Sequence, residues 1–247
     1  MIIAAFDIET IPSQELPAGL KPEFDPETVK YGNTKDLIKR QIKKDSERLA
    51  FESKLDKKMS TDPGLCQVCT FVGMKYDTEE RKILKTVSIQ WGIDDNDELD
   101  VVHHGWEFIQ SCYLNRHPIV TYNGIGFDLP VMIIAALRQD VVVSSLMYNA
   151  LRVKWEGNIH HYDLMLMLSG WEKTRWKKMD FWLRLLGIGQ KTEGMDGSEV
   201  YPAFQAEEFK KIQSYCEDDV RSTCELMARV QPYFAPKGDM PEEKKEF

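Results

Sequence analysis

At 247 residues and 43% hydrophobic, the chain can form one large core or two modest ones, at roughly 100–200 residues per domain. No apolar run approaches the ~20 residues of a membrane span, and no basic segment followed by an apolar stretch opens the chain as a leader would. A soluble, cytoplasmic protein with no membrane partner is expected. The net charge of −8 argues against nonspecific coating of nucleic acid but not against an enzyme acting on it, because metal-binding carboxylates contribute such charge. Five cysteines without regular spacing fit reduced thiols better than a disulfide framework.

Met1 to Phe6 reads as a short strand buried on both faces. At its end stand Asp7 and Glu9, which an extended chain points to the same side. Taken alone, the pair is either an acidic strand end reaching water or half of a metal site, since adjacent buried carboxylates need a cation. Pro12, Pro17, Pro22 and Pro26 mark an irregular connection. Residues 34–59 are highly charged, with a thin stripe of Leu37, Ile38, Ile42, Leu49, Leu55 and Met59, and predict one or two surface helices. A solvated insertion (about 30–60) is favoured there over a basic lid on phosphates. After the turn at Asp62-Pro63-Gly64, strands are predicted from Leu65 to Tyr76 and from Lys82 to Trp91, joined by the loop Asp77–Glu80. Cys66 and Cys69 form a C-x-x-C, but no second pair completes the four ligands of a zinc site, so packed thiols are expected. A turn over Asp94–Asp97 precedes a short predicted strand at Leu99 to His103.

Trp106, Phe108, Ile109 and Leu114 predict a helix, and Ile119 to Tyr122 a strand, followed by the glycine-rich loop Asn123-Gly124-Ile125-Gly126-Phe127-Asp128. Leu129 to Leu137 reads as a buried helix with Pro130 in its first turn, which places Asp128 at the favourable end of the helix dipole. His160 to Asp163 lead into a second apolar helix, Asp163 being read as its N-cap in preference to a catalytic group. Trp171 to Lys178 interleave basic and aromatic residues, a composition that suits a single-strand contact as well as an ordinary loop. A helix from Phe181 to Leu186 ends at Gly187, and Gly189 to Gly197 form a polar loop. From Ala206 to about Val230 the pattern is helical, with Tyr215 and Asp219 on one side. A single domain over 1–234 with a disordered tail at 235–247 is expected.

Asp7-Ile8-Glu9-Thr10, Asn123 to Asp128 and Tyr215-Cys216-Glu217-Asp218-Asp219 together resemble the three motifs of the DEDD 3′–5′ exonucleases, tyrosine subclass. The resemblance is closest to stand-alone exonucleases related to the proofreading domain of family B DNA polymerases. It spans residues 2 to about 230 apart from 34–59, and includes a segment like Gly187 to Val200 with Lys191 and Asp196. The histidine subclass would place His at the position of Ser214, and choosing Asp218 as the last carboxylate would leave no Tyr four residues earlier. The resemblance implies an α/β ribonuclease-H-like fold: a mixed sheet of about five strands, the first three antiparallel, flanked by helices. It implies a hydrolase that shortens single-stranded DNA from its 3′ end, with two divalent cations, Mg²⁺ or Mn²⁺. Asp7, Glu9, Asp128 and Asp219 would hold the metals, and Tyr215 would orient the attacking water. Thr10, Asn123 and Phe127 would meet the terminal nucleotide. RNA as substrate, and a non-cleaving nucleic-acid-binding module, are the alternatives.

Overall fold

Strand β1 (Ile2–Pro12) does not end at the two acids but runs through them, because β2 (Cys66–Asp77) pairs with it antiparallel from Ile2↔Asp77 to Pro12↔Cys66. The acids, expected at the strand's end, lie within it. β4 (Ile119–Thr121) pairs in parallel only with Ala4 and Ala5, so from Asp7 onward one edge of β1 has no sheet partner among the described residues. This computed structural model describes residues 1–153, 160–188 and 195–234; Gly189 and Lys191 of the polar loop, and the tail, lie outside the described residues. β3 (Lys82–Gln90) adds antiparallel to β2, and β5 (His161–Asp163) adds parallel to β4, giving the order β3-β2-β1-β4-β5. The sheet is the expected mixed one, with its first three strands antiparallel and helices on both faces.

One long helix, α1 (Leu37–Ser60), fills the charged insertion; Asp36 caps it and Met59 is its one buried residue. The strand expected at Leu99–His103 is absent: α2 (Glu98–Leu114) begins there, since Asp97 and Asp100 form a reciprocal capping box that satisfies its first N–H groups. α3 (Asp128–Arg138) follows β4, α4 is Ser145–Leu151, and α5 (Leu164–Leu168) is capped by Asp163 as expected. α6 is Met179–Leu185, α7 is Val200–Gln205 and α8 is Phe209–Phe234. The last two are separate because Glu207 adopts φ +57°, which breaks the helical run expected from Ala206.

Side chains alternate across β1. Ala4, Phe6 and Ile8 pack with Phe71 of β2 against α2 and α3, where Phe71 stacks on Phe6 with ring centres 5.6 Å apart. Ile3 and Ala5 pack on the opposite face against Cys216, Val220 and Cys224 of α8. A third cluster, Ile11 with Cys69, Val200, Ala203 and Ile212, closes that face beyond the acids. At about 1.5–3 kcal/mol per buried aliphatic or aromatic side chain, these clusters fix α8 over β1 on both sides of Asp7 and Glu9. Cys66 and Cys69 fall into different clusters and do not face each other; burial pushes the Cys66 thiol up to about 12.

Candidate active site

Asp7 and Glu9 occupy the row of β1 that faces α8, interrupting it between the apolar clusters of Ile3 and Ala5 on one side and Ile11 on the other. The register along β2 slips at this point: Glu9 pairs with Thr70 and Thr10 with Val68, leaving Cys69 as the extra residue of a bulge. A bulge twists the strand and re-aims its side chains, and here the consecutive Glu9 and Thr10 both line the same cleft.

Asp128 reaches the site around the unpaired edge of β1. The loop before it is shaped by its own side chains: Asn123 sits at φ +72°, and the Thr121 hydroxyl accepts from Gly124 N at 3.1 Å. A Cβ at Gly124 would collide with that hydroxyl, and one at Gly126 with the Asn123 side chain, which explains the two glycines. A second anchor was not foreseen. The buried Asp163 carboxylate accepts from Asn123 N at 3.0 Å and Ile125 N at 3.0 Å while also accepting from Met165 N and Leu166 N at the start of α5. His161 supports the same loop, with Nε2 2.8 Å from the Thr121 hydroxyl and Nδ1 2.7 Å from the Leu151 carbonyl; burial lowers its pKa. Neither residue lines the cleft, so both position rather than touch a substrate.

Tyr215 and Asp219 stand one turn apart on α8 and line the cleft together with Asp7 and Glu9, whereas Asp218 does not. The site's electrostatics follow from this convergence. The Asp7 pKa is raised, first by burial and then by the charges of Asp128, Glu9 and Asp219. Asp128 is raised by burial, and its carboxyl lies against that of Asp7. Such a cluster retains a proton unless cations neutralise it. Burial and the neighbouring Asp219 charge raise the Tyr215 phenol above its ordinary value, so it stays protonated. The Cys216 thiol lies beside Asp7 and Glu9, with all three ligand atoms within 4.8 Å of one another, and burial together with the acids keeps it protonated too.

The donor set fits hard divalent cations. It is dominated by carboxylate oxygens, and Asp128 Oδ1 is buried without a hydrogen-bond partner, an orphan that a cation would satisfy. Thr10, Asn123 and Phe127 also line the cleft, which has a volume of about 1120 Å³, whereas Asp128 is buried behind it beside Asp7. The Thr10 hydroxyl donates to the Ser60 carbonyl of α1 at 2.6 Å, so its proton is committed to holding the insertion. α1, read as a solvated insertion, in fact contributes Ser53, Asp56, Lys57 and Ser60 to the cleft, and its C-cap Thr61 lines it too.

A mixed five-stranded sheet that brings Asp7, Glu9, Asp219 and Tyr215 into one cleft, with Asp128 buried beside Asp7, is the arrangement of a DEDD-type 3′–5′ exonuclease. The chain belongs to the family described as "Predicted 3'-5' exonuclease related to the exonuclease domain of PolB", which it matches over residues 63–244. Nucleic-acid and divalent-metal binding are typical of this family. Among solved structures, the family B DNA polymerase of the archaeon Pyrobaculum calidifontis shares the fold with TM-score 0.56 and 18% identity. That match covers 94% of this chain and 25% of the polymerase. E. coli exonuclease I in complex with a dA13 oligonucleotide matches at TM-score 0.42 and 12% identity, over 94% of this chain and 40% of that one. The chain therefore spans a quarter to two-fifths of the length of these proteins. No curated protein matches it.

Proposed function

We propose that the chain removes nucleoside 5′-monophosphates one at a time from the 3′ end of single-stranded DNA, using two divalent cations, Mg²⁺ or Mn²⁺. The observation that carries this reading is the convergence of the carboxylates: Asp7, Glu9 and Asp219 line one cleft with Tyr215, and Asp128 lies beside Asp7. Asp7, Glu9, Asp128 and Asp219 would hold the ions. When bound, such a pair supplies an activated water and neutralises charge on the leaving oxygen.

The chain's own groups do the positioning. Tyr215, protonated throughout the neutral range, donates a hydrogen bond rather than taking a proton, and so orients the attacking water instead of deprotonating it. Asn123, fixed by Asp163 and by its left-handed backbone, and Phe127 meet the terminal nucleotide, and the Thr10 backbone meets its sugar. The dipole of α3 and its first turn hold Asp128 in place.

The test is a 5′-labelled oligonucleotide incubated with Mn²⁺, alongside an RNA strand of the same sequence. A ladder shortened from the 3′ end of the DNA is expected. No metal-dependent shortening, or products that begin at the 5′ end, would overturn the proposal, and faster loss of the RNA would move the substrate to RNA.

A further inference from the structure

Two sequence features are not used by the chemistry: helix α1 and the basic–aromatic segment from Trp171 to Lys178. Both enter the acidic cleft. α1 is joined to β1 through Thr10 and Ser60, and its last turns present Lys57. The other segment is joined to the end of β4, where the Tyr122 hydroxyl donates to the Lys177 carbonyl at 2.6 Å; it presents Trp176, Lys177 and Lys178. The two anchors, Thr10 on β1 and Tyr122 just after β4, both line the cleft.

α1 adds little to the core. Met59 is its one buried residue, and Leu37, Ile38, Ile42 and Leu49 are exposed, so packing alone does not account for a helix of 24 residues at this place. The cleft exceeds the roughly 300–1,000 Å³ of pockets that take one small ligand, which suits a polymer better than a single nucleotide. Trp176 is 37% exposed, and the Lys173 ammonium sits 5.4 Å from its ring centre. Such aromatic–lysine pairs stack bases and neutralise phosphates in single-strand sites.

We propose that the last turns of α1 and the segment 176–178 form a guide that grips one strand behind its 3′ end. Lys57, Lys177 and Lys178 neutralise successive phosphates, and Trp176 stacks a base. This rests on the exonuclease reading and adds how the substrate is held. Asp56, Asp180 and Asp196 line the same cleft. Lys57 and Lys178 both lie close enough to Asp196 to help hold its carboxyl below the ordinary range, after its bonds from Ser198. The two jaws therefore share one anion in the strand-free protein, as they would share a phosphate.

The magnitude follows from counterion release. With three lysines engaged, log K should fall with log[salt] at a slope of about −2, and each lysine lost should reduce the slope by about 0.7. At 0.1 M salt that is about fivefold weaker binding per lysine. Loss of the Trp176 stack should weaken binding by about 5- to 150-fold.

The test is fluorescence anisotropy with a labelled single-stranded oligonucleotide whose 3′-terminal linkage is a phosphorothioate, in Ca²⁺. Lys57→Ala, Lys178→Ala and Trp176→Ala should weaken binding as above, and the two lysine variants should flatten the salt slope. Lys39→Ala, which removes the same charge from the exposed far end of α1, should match wild type. A blunt duplex should compete poorly. If Lys57→Ala and Trp176→Ala bind like Lys39→Ala, or the duplex competes equally, the guide is overturned. Hydrolysis of the p-nitrophenyl ester of thymidine 5′-monophosphate in Mn²⁺ separates the two readings. Its absence with the binding pattern intact removes the exonuclease reading and leaves the guide standing.

Discussion

Asp163 offers the sharpest test of how the site is assembled. Its carboxylate performs two tasks: it caps α5 through Met165 N and Leu166 N, and it ties down the loop through Asn123 N and Ile125 N. Asp163→Ser separates them, because serine is as good an N-cap as aspartate but is too short, with a single oxygen, to hold both loop amides. The variant should lose two charge-assisted bonds at about 1.5 kcal/mol each, the low end for bonds to charged groups, or about 3 kcal/mol in all. For a chain of this size, that corresponds to a melting temperature about 6–12 °C lower. The released loop carries Asn123, Phe127 and the start of α3, so kcat on an oligonucleotide should fall by at least tenfold even at temperatures where the variant is fully folded. The assay pairs circular dichroism melting with single-turnover cleavage at 20 °C. A variant that melts within 2 °C of wild type, or that melts early yet cleaves normally when folded, would refute the idea that Asp163 holds the loop for Asp128.

Further outcomes concern the acids and their supports. The Asp7 and Asp128 pKa values lie above those of the unfolded chain, so between the two the folded state binds more protons, and metal-free stability should fall as pH rises through the folded values. Melting in EDTA at pH 5.5 and pH 8 should show that fall, and Mn²⁺ should reverse it with release of protons measurable in weakly buffered solution. Asp7→Asn should abolish turnover yet raise the melting temperature in EDTA at pH 8, because it removes one of several mutually repelling carboxylates; a lower melting temperature would contradict the repulsion. Tyr215→Phe should lower kcat by roughly 10- to 100-fold with little effect on KM, the low side of what a positioned proton-bearing group contributes. The wild-type rate should show no ionisation of this phenol below pH 10. Glu98→Ala, far from the chemistry, should destabilise by about 3–5 kcal/mol, since Glu98 accepts from Gln67, Val68, Arg138 and Gln139 in a buried setting; chemical denaturation measures it.

Much of this architecture is legible along the chain because it depends on local rules. The strands of the β2–β3 hairpin, the buried helix after the glycine loop, and the i, i+4 spacing of Tyr215 and Asp219 follow from periodicity and turn residues. So does the placement of Asp7 and Glu9 on one face, since alternation along a strand is independent of its partners. The misread places are those where a neighbour decides. β1 continues past the acids to Pro12 because β2 offers it partners, and Leu99–His103 is helical because the capping of Asp97 and Asp100 outweighs a short alternating run.

The sequence by itself determined the chemistry available: four carboxylates and a tyrosine in motifs that each sit on a definable element, as ligands for hard cations must. Only the tertiary structure decided what those groups face. It brought Asp128 around the short edge left by β4, tied Asp163 to the loop, and laid the charged insertion along the cleft, with Thr10 bonded to its last turn. The physical reason is that these contacts join residues about 40 or 50 positions apart, and the desolvation and mutual repulsion that set the acids' protonation arise only when the chain brings them together.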